Sequence, residues 1–587
     1  MTFFKSVLSS CLGVFLAFIL IILVFVGISS ASFLSSETKP KLGLLYLDLS
    51  EIVPELTGNI GSSSFSLEAQ PNYTGLQELK KLIDHAKTDD NVKGIVLDIK
   101  DTPNGASTLF EIVKSLKDFK ESKKPVLAYI DNTSQNGYMV SSVADQIMMN
   151  PNGEIGLRGY GMMVPFVKDA ADKLGIEFKI FYAGNFKSAT ESLRRTDISP
   201  ENRLQSREFL AERMDVFKQI LFQNRKLQSA KLDSIMNNIL GRSAKLSLSN
   251  GLVDKIGYRP DFHELIASKT GLDADDLNYI GIDTYAAATI LSNKGSFSNK
   301  IAVVYLEGDI MDGADDKGLI SDKKYEKVFA KIRKDDKVKA VVLRVNSGGG
   351  SSYSSDIIWN EVELLKKKNI PVIASFGDYA ASGGYYVACG ADKIFAAPNT
   401  LTGSIGVFSI LLKTKELFNE KLGITFDTVK THNNAIYLSS NYDFSPKEEE
   451  VMKEMTEDIY DQFLTKVAKG RKMSKDSVHL VAQGRVWTGQ KAITNGLVDE
   501  LGNLDDAIAA AAKMAKVDDY RVSEFPYIEK EFWEELLQSL TKSTEPEAQV
   551  KNWLKTQNKS LYETSIYLEK LSKMEKVQAK LPFRIEE

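Results

Sequence analysis

Ser382 lies in a run of small residues, Ala380-Ala381-Ser382-Gly383-Gly384. The run separates an apolar stretch that reads as a buried strand, Ile370–Ser375, from one that reads as a helix, Tyr385–Cys389. A serine at a strand-to-helix turn suits a strained nucleophile, with the N–H groups of the helix start facing a developing oxyanion. The same composition also describes a turn that lets a helix pack closely on a sheet, and the G-x-S-x-G pattern is absent. A serine needs a base to become nucleophilic at neutral pH, and an unprotonated lysine can serve. Lys187, in Asn185–Ser192 (NFKSATES), is the candidate. A free lysine titrates near 10.4, so its pKa must fall by about 3, at ~4 kcal/mol. Burial in an apolar interface away from carboxylates moves it in that direction, although Glu191 is close in sequence.

What ties these residues together is an internal duplication. Lys93–Ile99 (KGIVLDI) matches Lys339–Val345 (KAVVLRV), each after an Asp-Asp pair. Gly137–Ile147 matches Gly384–Ile394, Leu174-Gly175-Ile176 matches Leu422-Gly423-Ile424, and Gly251–Asp254 matches Gly496–Asp499. Spacing held over about 200 residues marks a repeated domain. In that register Ser382 falls on Gln135 (382 − 247 = 135) and Lys187 on Ala435 (187 + 248 = 435). Each half holds one partner of a Ser–Lys pair and lacks the other.

Each copy alternates short β-branched runs with amphipathic helical stretches, the pattern of an α/β unit with mainly parallel strands. Long helical tracts close the copies at about 201–238 and 447–483. Asn346–Ser352 (NSGGGSS) follows a buried strand at its carboxyl end, where α/β proteins bind ligands. A glycine there can offer an N–H to an oxyanion, with Gly383 the second donor. A phosphate loop is disfavoured, since no lysine follows the glycines. Ser404, which falls on Leu157 in the first copy, can hydrogen-bond the lysine amine and aim its lone pair at Ser382. A Ser–His–Asp alternative would use His432.

A net charge of −4 and the lack of basic tracts exclude nucleic acid as an expected partner. Two cysteines and four histidines form no metal-ligand cluster, and no cofactor is expected. Cys11–Ile28 is apolar, about the length that spans a bilayer and longer than the core of a cleavable leader. The organisation expected is a membrane anchor at 1–36, a first domain at 40–266 and a linker at 267–299, then a second domain at 300–516 and a helical extension at 517–587.

The chain resembles the long, tandem-domain signal peptide peptidases of the S49 peptidase family. The likeness is carried by NFKSATES around Lys187, NSGGGS at 346–351, YAASGGYYVA around Ser382 and PNTLTGSIG at 398–406. It spans the anchor and about residues 40–515. It implies a ClpP/crotonase-like fold, Ser382 as nucleophile and Lys187 as general base. It further implies oxyanion donors at Gly349 and Gly383, Ser404 orienting the lysine, and a ring-like homo-oligomer, with a tetramer favoured. One departure is Gly348, where relatives usually carry proline. The expected protein is a single-anchor serine endopeptidase of the bacterial inner membrane with its body on the periplasmic side. By the same resemblance it degrades signal peptides and other short apolar peptides. A crotonase-type acyl-CoA enzyme and a catalytically silent membrane scaffold are the alternatives.

Overall fold

The computed structural model describes residues 42–59, 74–289, 298–313 and 318–527, with the backbone of one further strand at 577–580. The first half supplies strands β1 (Gly43–Leu47), β2 (Val92–Leu97), β3 (Val126–Ser134), β4 (Gln146–Gly156), β5 (Glu177–Ala183), β6 (Lys255–Ile256) and β7 (Tyr279–Gly281). All but β5 form one sheet in the order β6-β4-β3-β2-β1-β7, parallel throughout. The second half supplies β8 (Lys300–Glu307), β9 (Asp309–Met311), β10 (Leu319–Ser321), β11 (Val338–Ser347), β12 (Gly349–Ser351), β13 (Val372–Ala381), β14 (Lys393–Ala396), β15 (Leu401–Gly403), β16 (Val407–Lys413), β17 (Val486–Thr488), β18 (Glu500–Leu501) and β19 (Arg521–Phe525); β20 is Val577–Lys580. Its main sheet runs β17-β15-β13-β11-β8-β19, with β14 also paired to β13 and β18 paired to β14. Every pair in it is parallel except β15 with β17.

The two sheets are covered by helices on both faces, which is why their strands read as continuous apolar runs. Strands β2 and β11, the matched KGIVLDI and KAVVLRV, occupy the same place in their sheets and are almost wholly buried. The duplicated Ser-Pro pairs start the duplicated long helices. Ser199 caps Pro200–Arg225 and Ser445 caps Pro446–Arg471, each accepting from the backbone three residues on, with proline in the first turn where its missing N–H costs nothing.

A third sheet, β10-β9-β12-β20-β16-β5, joins the halves. β5 of the first half pairs antiparallel with β16 of the second over seven residues, from Val407 opposite Ala183 to Lys413 opposite Glu177. A buried ion network reinforces the joint. Arg344 on β11, fully buried, reaches Glu55 at 2.8 Å and Glu111 at 2.9 Å, both from the first half. Glu111 is shared with Lys80 at 2.7 Å. At the end of β13, Asp378 accepts from Ser107 N (2.7 Å), Thr108 N (3.0 Å) and the Thr108 hydroxyl (2.7 Å), capping the first half's helix Ala106–Phe119. Gly105 is required there, because a Cβ would stand 2.3 Å from the Asp378 carboxyl carbon.

Two stretches differ from the sequence reading. Residues 267–299 were expected as linker, but β7 extends the first sheet beside β1 and helix Ile282–Ala288 follows it, so the first half runs on to residue 288. The tract ending at Lys580 was expected as helix, whereas Val577–Lys580 is a strand, its conformation set by pairing on both sides. The expected anchor at 1–36 lies outside the described residues. Among those described, no helix is long and apolar enough to cross a membrane.

Candidate active site

β13 ends at Ala381 and helix Gly383–Ala388 begins two residues later, so Ser382 alone makes the turn. Its backbone stands at φ 55°, ψ −117°, a region that non-glycine residues occupy only under constraint, at ~1–3 kcal/mol. The constraint is visible. Ser382 N–H donates to Gly403 O on the adjacent β15 (2.8 Å), and Tyr386 N–H donates to Ser382 O (2.8 Å). Gly384 admits the tight packing of the helix, since a Cβ there would meet Ser347 O at 2.5 Å.

Lys187 reaches this turn from the first half of the same chain. Its Nζ lies 2.8 Å from Ser382 Oγ, 3.2 Å from Ser404 Oγ and 3.3 Å from Ser404 O. A neutral amine has two N–H groups and one lone pair. Two donations to Ser404 leave the lone pair for the Ser382 hydroxyl proton. All three side chains are shut from solvent, Lys187 at 1% exposure and the two serines at 0%. Burial alone lowers the Lys187 pKa from its ordinary 10.5 to about 7. The ring of Phe408, 5.8 Å from Nζ, is part of that dry wall. Glu191 does not oppose the shift: its carboxylate accepts from Ser199 N–H and the Ser199 and Asn202 side chains.

The lysine loop is clasped by the second half. Phe186 N–H donates to Gln483 O (2.9 Å). Gly484, at φ 76°, lies so close beneath Lys187 that a Cβ would stand 2.7 Å from its Cα. Ser404, itself at φ 48°, is fixed by its N–H donating to Arg485 O (2.7 Å).

Gln205 is a residue that sequence reasoning passed over. From helix Pro200–Arg225 it donates to Phe186 O (3.2 Å) and Ser188 Oγ (3.0 Å), on both sides of Lys187, and accepts from Val486 N–H (3.1 Å). It therefore ties the lysine loop to β17 across the joint. Its only sequence signal was a glutamine in a long polar-apolar helical tract.

The expected oxyanion donors flank the nucleophile differently. Gly383 is the first residue of the helix after Ser382. Gly349, at φ 98°, donates its N–H to Ser347 Oγ at 3.1 Å and must leave that hydroxyl to serve an oxyanion. In the first copy Gln135 occupies the serine position, and its side chain accepts from Gly159 N–H (2.9 Å). His432 is exposed and hydrogen-bonded to neighbouring Thr431 (3.1 Å), whereas Ser382 is buried against Lys187. Among the described residues no group of acidic, histidine and cysteine side chains is arranged to hold a metal ion.

Comparison with known proteins follows the same lines. The sequence pattern of peptidase family S49 matches twice, over residues 118–273 and 364–518. Protease 4 of Salmonella typhi is 34% identical over 523 residues, covering 86% of this chain and 84% of its own. Protease 4 of Haemophilus influenzae is 34% identical over 524 residues, covering 85% and 83%. A protein of Enterococcus faecium named as a signal peptide peptidase is 37% identical over 264 residues, 44% of this chain and 76% of its own. Two matched domains and relatives aligned over most of their length place the chain in peptidase family S49, as a serine peptidase.

Proposed function

We propose that the chain is a membrane-anchored endopeptidase working through a Ser382–Lys187 dyad, with a ClpP/crotonase-like domain in each half. The observation that carries this reading is a neutral-capable lysine 2.8 Å from a strained serine inside a dry joint. As Ser382 Oγ attacks a peptide carbonyl, Lys187 Nζ takes its proton. The oxyanion is received by the N–H groups of Gly383 and of Gly349, the latter turning from Ser347. The lysine ammonium then protonates the departing amine, and a water activated by the same base releases the acyl group. Ser404 holds the amine in register throughout. The preferred substrates are extended, apolar peptides such as released signal peptides, and the body stands on the periplasmic face of the inner membrane. An acyl-CoA enzyme or a silent scaffold has no use for a serine and lysine divided between the copies.

Assembly follows from the duplication. The β5–β16 joint has an equivalent between residues 160–166 and 425–431 (407 − 247 = 160; 177 + 248 = 425). Neither segment has a strand partner among the described residues, and Met163 is 88% and Val429 101% exposed. Pairing of one chain's 425–431 with the next chain's 160–166 repeats the internal joint head to tail and closes into a ring. That outer joint brings together Gln135 and Ala435 positions and carries no dyad.

The dyad is tested by treating the purified protein with a fluorophosphonate and reading intact mass and turnover of an extended peptide. Wild type gains one label at Ser382. Ser382→Ala and Lys187→Ala lose labelling and turnover at unchanged melting temperature. Substantial turnover in Lys187→Ala defeats the dyad and returns attention to His432.

A further inference from the structure

The joint between the halves holds more carboxyls than it can neutralise. Glu307, half-buried, closes β8 and turns into residues 54–59 of the first half. Its carboxyl accepts from Glu55 N–H (2.8 Å) and from the Asn59 side chain (3.0 Å). Four carboxyls gather here, Glu55, Glu111, Asp505 and Glu307, with two cations, Arg344 and Lys80. Arg344 is shared by Glu55 and Glu111, and Lys80 by Glu111 and Asp505. Among the described residues Glu307 is left without a cation. The Glu55 oxygen turned away from Arg344, Oε1, is buried with no hydrogen-bond partner. The Glu55–Glu307 pair thus has acceptors to spare and lacks one hydrogen.

Burial, and after it the Glu55 charge, push the Glu307 carboxyl from its ordinary 4.5 up to about 8. Behind Glu55 stand Arg344, Glu111 and Asp378, and the Tyr325 hydroxyl faces Glu307 from helix Asp322–Lys334. Tyr305, two residues earlier on β8, gives its hydroxyl to Glu524 of β19 (3.0 Å). The next residue along, Gly308, anchors the oxyanion loop. Its N–H donates to Asn346 O (3.1 Å), and its carbonyl accepts from the Ser347 hydroxyl (2.6 Å), which in turn accepts from Gly349 N–H (3.1 Å). Gly308, at φ 102°, is pressed against Gly318, whose carbonyl oxygen a Cβ would meet at 2.0 Å. It has little room to absorb a shift of its neighbour. In the first half the same place, after β1, is the exposed Ser50 (307 − 257 = 50). The carboxyl therefore accompanies the half that carries the nucleophile.

We propose that Glu307 is a positioning residue that works as the un-ionised acid: protonated, it ties the 54–59 turn to the end of β8 and keeps the oxyanion loop in register, and its ionisation sets the alkaline limit of cleavage. This rests on the peptidase reading of the site. When Glu307 ionises, it and Glu55 become like charges beside one guanidinium that Glu111 already shares. The turn and the end of β8 then part, water enters, and Ser347 and Gly349 leave their register.

Two variants of the full chain test it, through kcat/KM on an extended peptide from about pH 6 to about pH 10. Wild type should fall about tenfold per pH unit above about 8. Glu307→Gln is neutral at every pH, and its profile should stay level where wild type falls. Glu55→Gln removes the neighbouring charge, so Glu307 ionises more readily and the fall should begin at lower pH. Stability gives a readout independent of activity. Between about 4.5 and about 8 the folded chain binds a proton at Glu307 that the unfolded chain has released. The folding equilibrium of wild type relative to Glu307→Gln should therefore drop by up to tenfold per pH unit across that window and be level above it. The proposal is overturned if wild type shows no alkaline fall, if Glu307→Gln keeps it, if Glu55→Gln leaves it in place or moves it upward, or if the relative stability does not change from pH 4.5 to pH 8. If no protein cleaves peptide or takes the fluorophosphonate at any pH, it is the peptidase reading that fails, and the positioning role falls with it. The stability comparison still reports whether Glu307 carries the proton.

Discussion

Replacing Lys187 by methionine should make the protein more stable and inactive, and the gain should depend on pH in a defined way. Methionine keeps the length and flexibility of the lysine stem without its charge. In the folded chain burial holds the amine at about 7 against an ordinary 10.5. At pH 7 the buried lysine, about half unprotonated, therefore costs the folded protein ~4 kcal/mol. Methionine removes that cost but forfeits the contacts to Ser404 and leaves its buried carbonyl short of a donor, ~2–3 kcal/mol. The net gain expected is ~1–2 kcal/mol at pH 7.

The sign with pH follows from proton counts. Between about 7 and 10.5 the unfolded chain binds a proton at this site that the folded chain does not. Wild-type stability therefore rises with pH across that window relative to Lys187→Met, by up to ~1.4 kcal/mol per pH unit, and the two curves cross before pH 10.5. Below about 7 both states are protonated and the difference is flat. Denaturant unfolding of both proteins at pH 7, 8, 9 and 10 measures this, alongside wild-type kcat/KM, whose acid limb should bend near pH 7. A stability difference that is the same at pH 7 and pH 10 refutes the dry-lysine account.

Gln205→Leu, which unties the lysine loop from β17, should lower kcat/KM ~10–100-fold and move the acid limb of its pH profile upward as water reaches Lys187; a loss of rate with the limb unmoved would mean the residue only braces the fold. Arg344→Met leaves Glu55 buried without its cation and should cost ~3–5 kcal/mol in denaturant unfolding, while adding Glu55→Gln should recover most of it. Val429→Asp, on the exposed 425–431 segment, should reduce the native mass seen by light scattering to that of one chain without lowering the melting temperature.

The parts of the site legible in the sequence were those that duplication exposed by difference. Ser382 against Gln135 and Lys187 against Ala435 pointed to one another although 195 residues separate them, and the structure sets them in contact. Ser404 stood out for the same reason, against Leu157. The sheets were legible because parallel strands covered on both faces are unbroken apolar runs. What stayed hidden depends on partners far along the chain. Gln205 matters through a donor on the other half, the Val486 N–H, 281 residues away. Arg344 read as a lone charge in an apolar run, because its carboxylates, Glu55 and Glu111, belong to the other domain. β20 carries a charge-rich local pattern that reads as helix, and only the two unpaired edges it meets make it a strand.

Those hidden contacts explain how the visible ones can exist. A neutral lysine and a serine at φ 55° are both costly, together ~5–7 kcal/mol at neutral pH; bonds to Gly403 and Tyr386 hold the serine from its own half, but the lysine is buried only where the halves meet. The lysine's share of the offset has to come from the joint. There the β5–β16 ladder, the Arg344 cluster and the Asp378 cap make contacts that have no use unless the halves meet in one register. Because both halves are on one chain, with helix Ile282–Ala288 ending 12 residues before β8 begins, the joint forms without the entropy of bringing two molecules together. A second joint of the same design between chains would have to meet that entropy as well. It is the joint in which the expensive residues are replaced by Gln135 and Ala435, so the dyad survives where the fold can best sustain its cost.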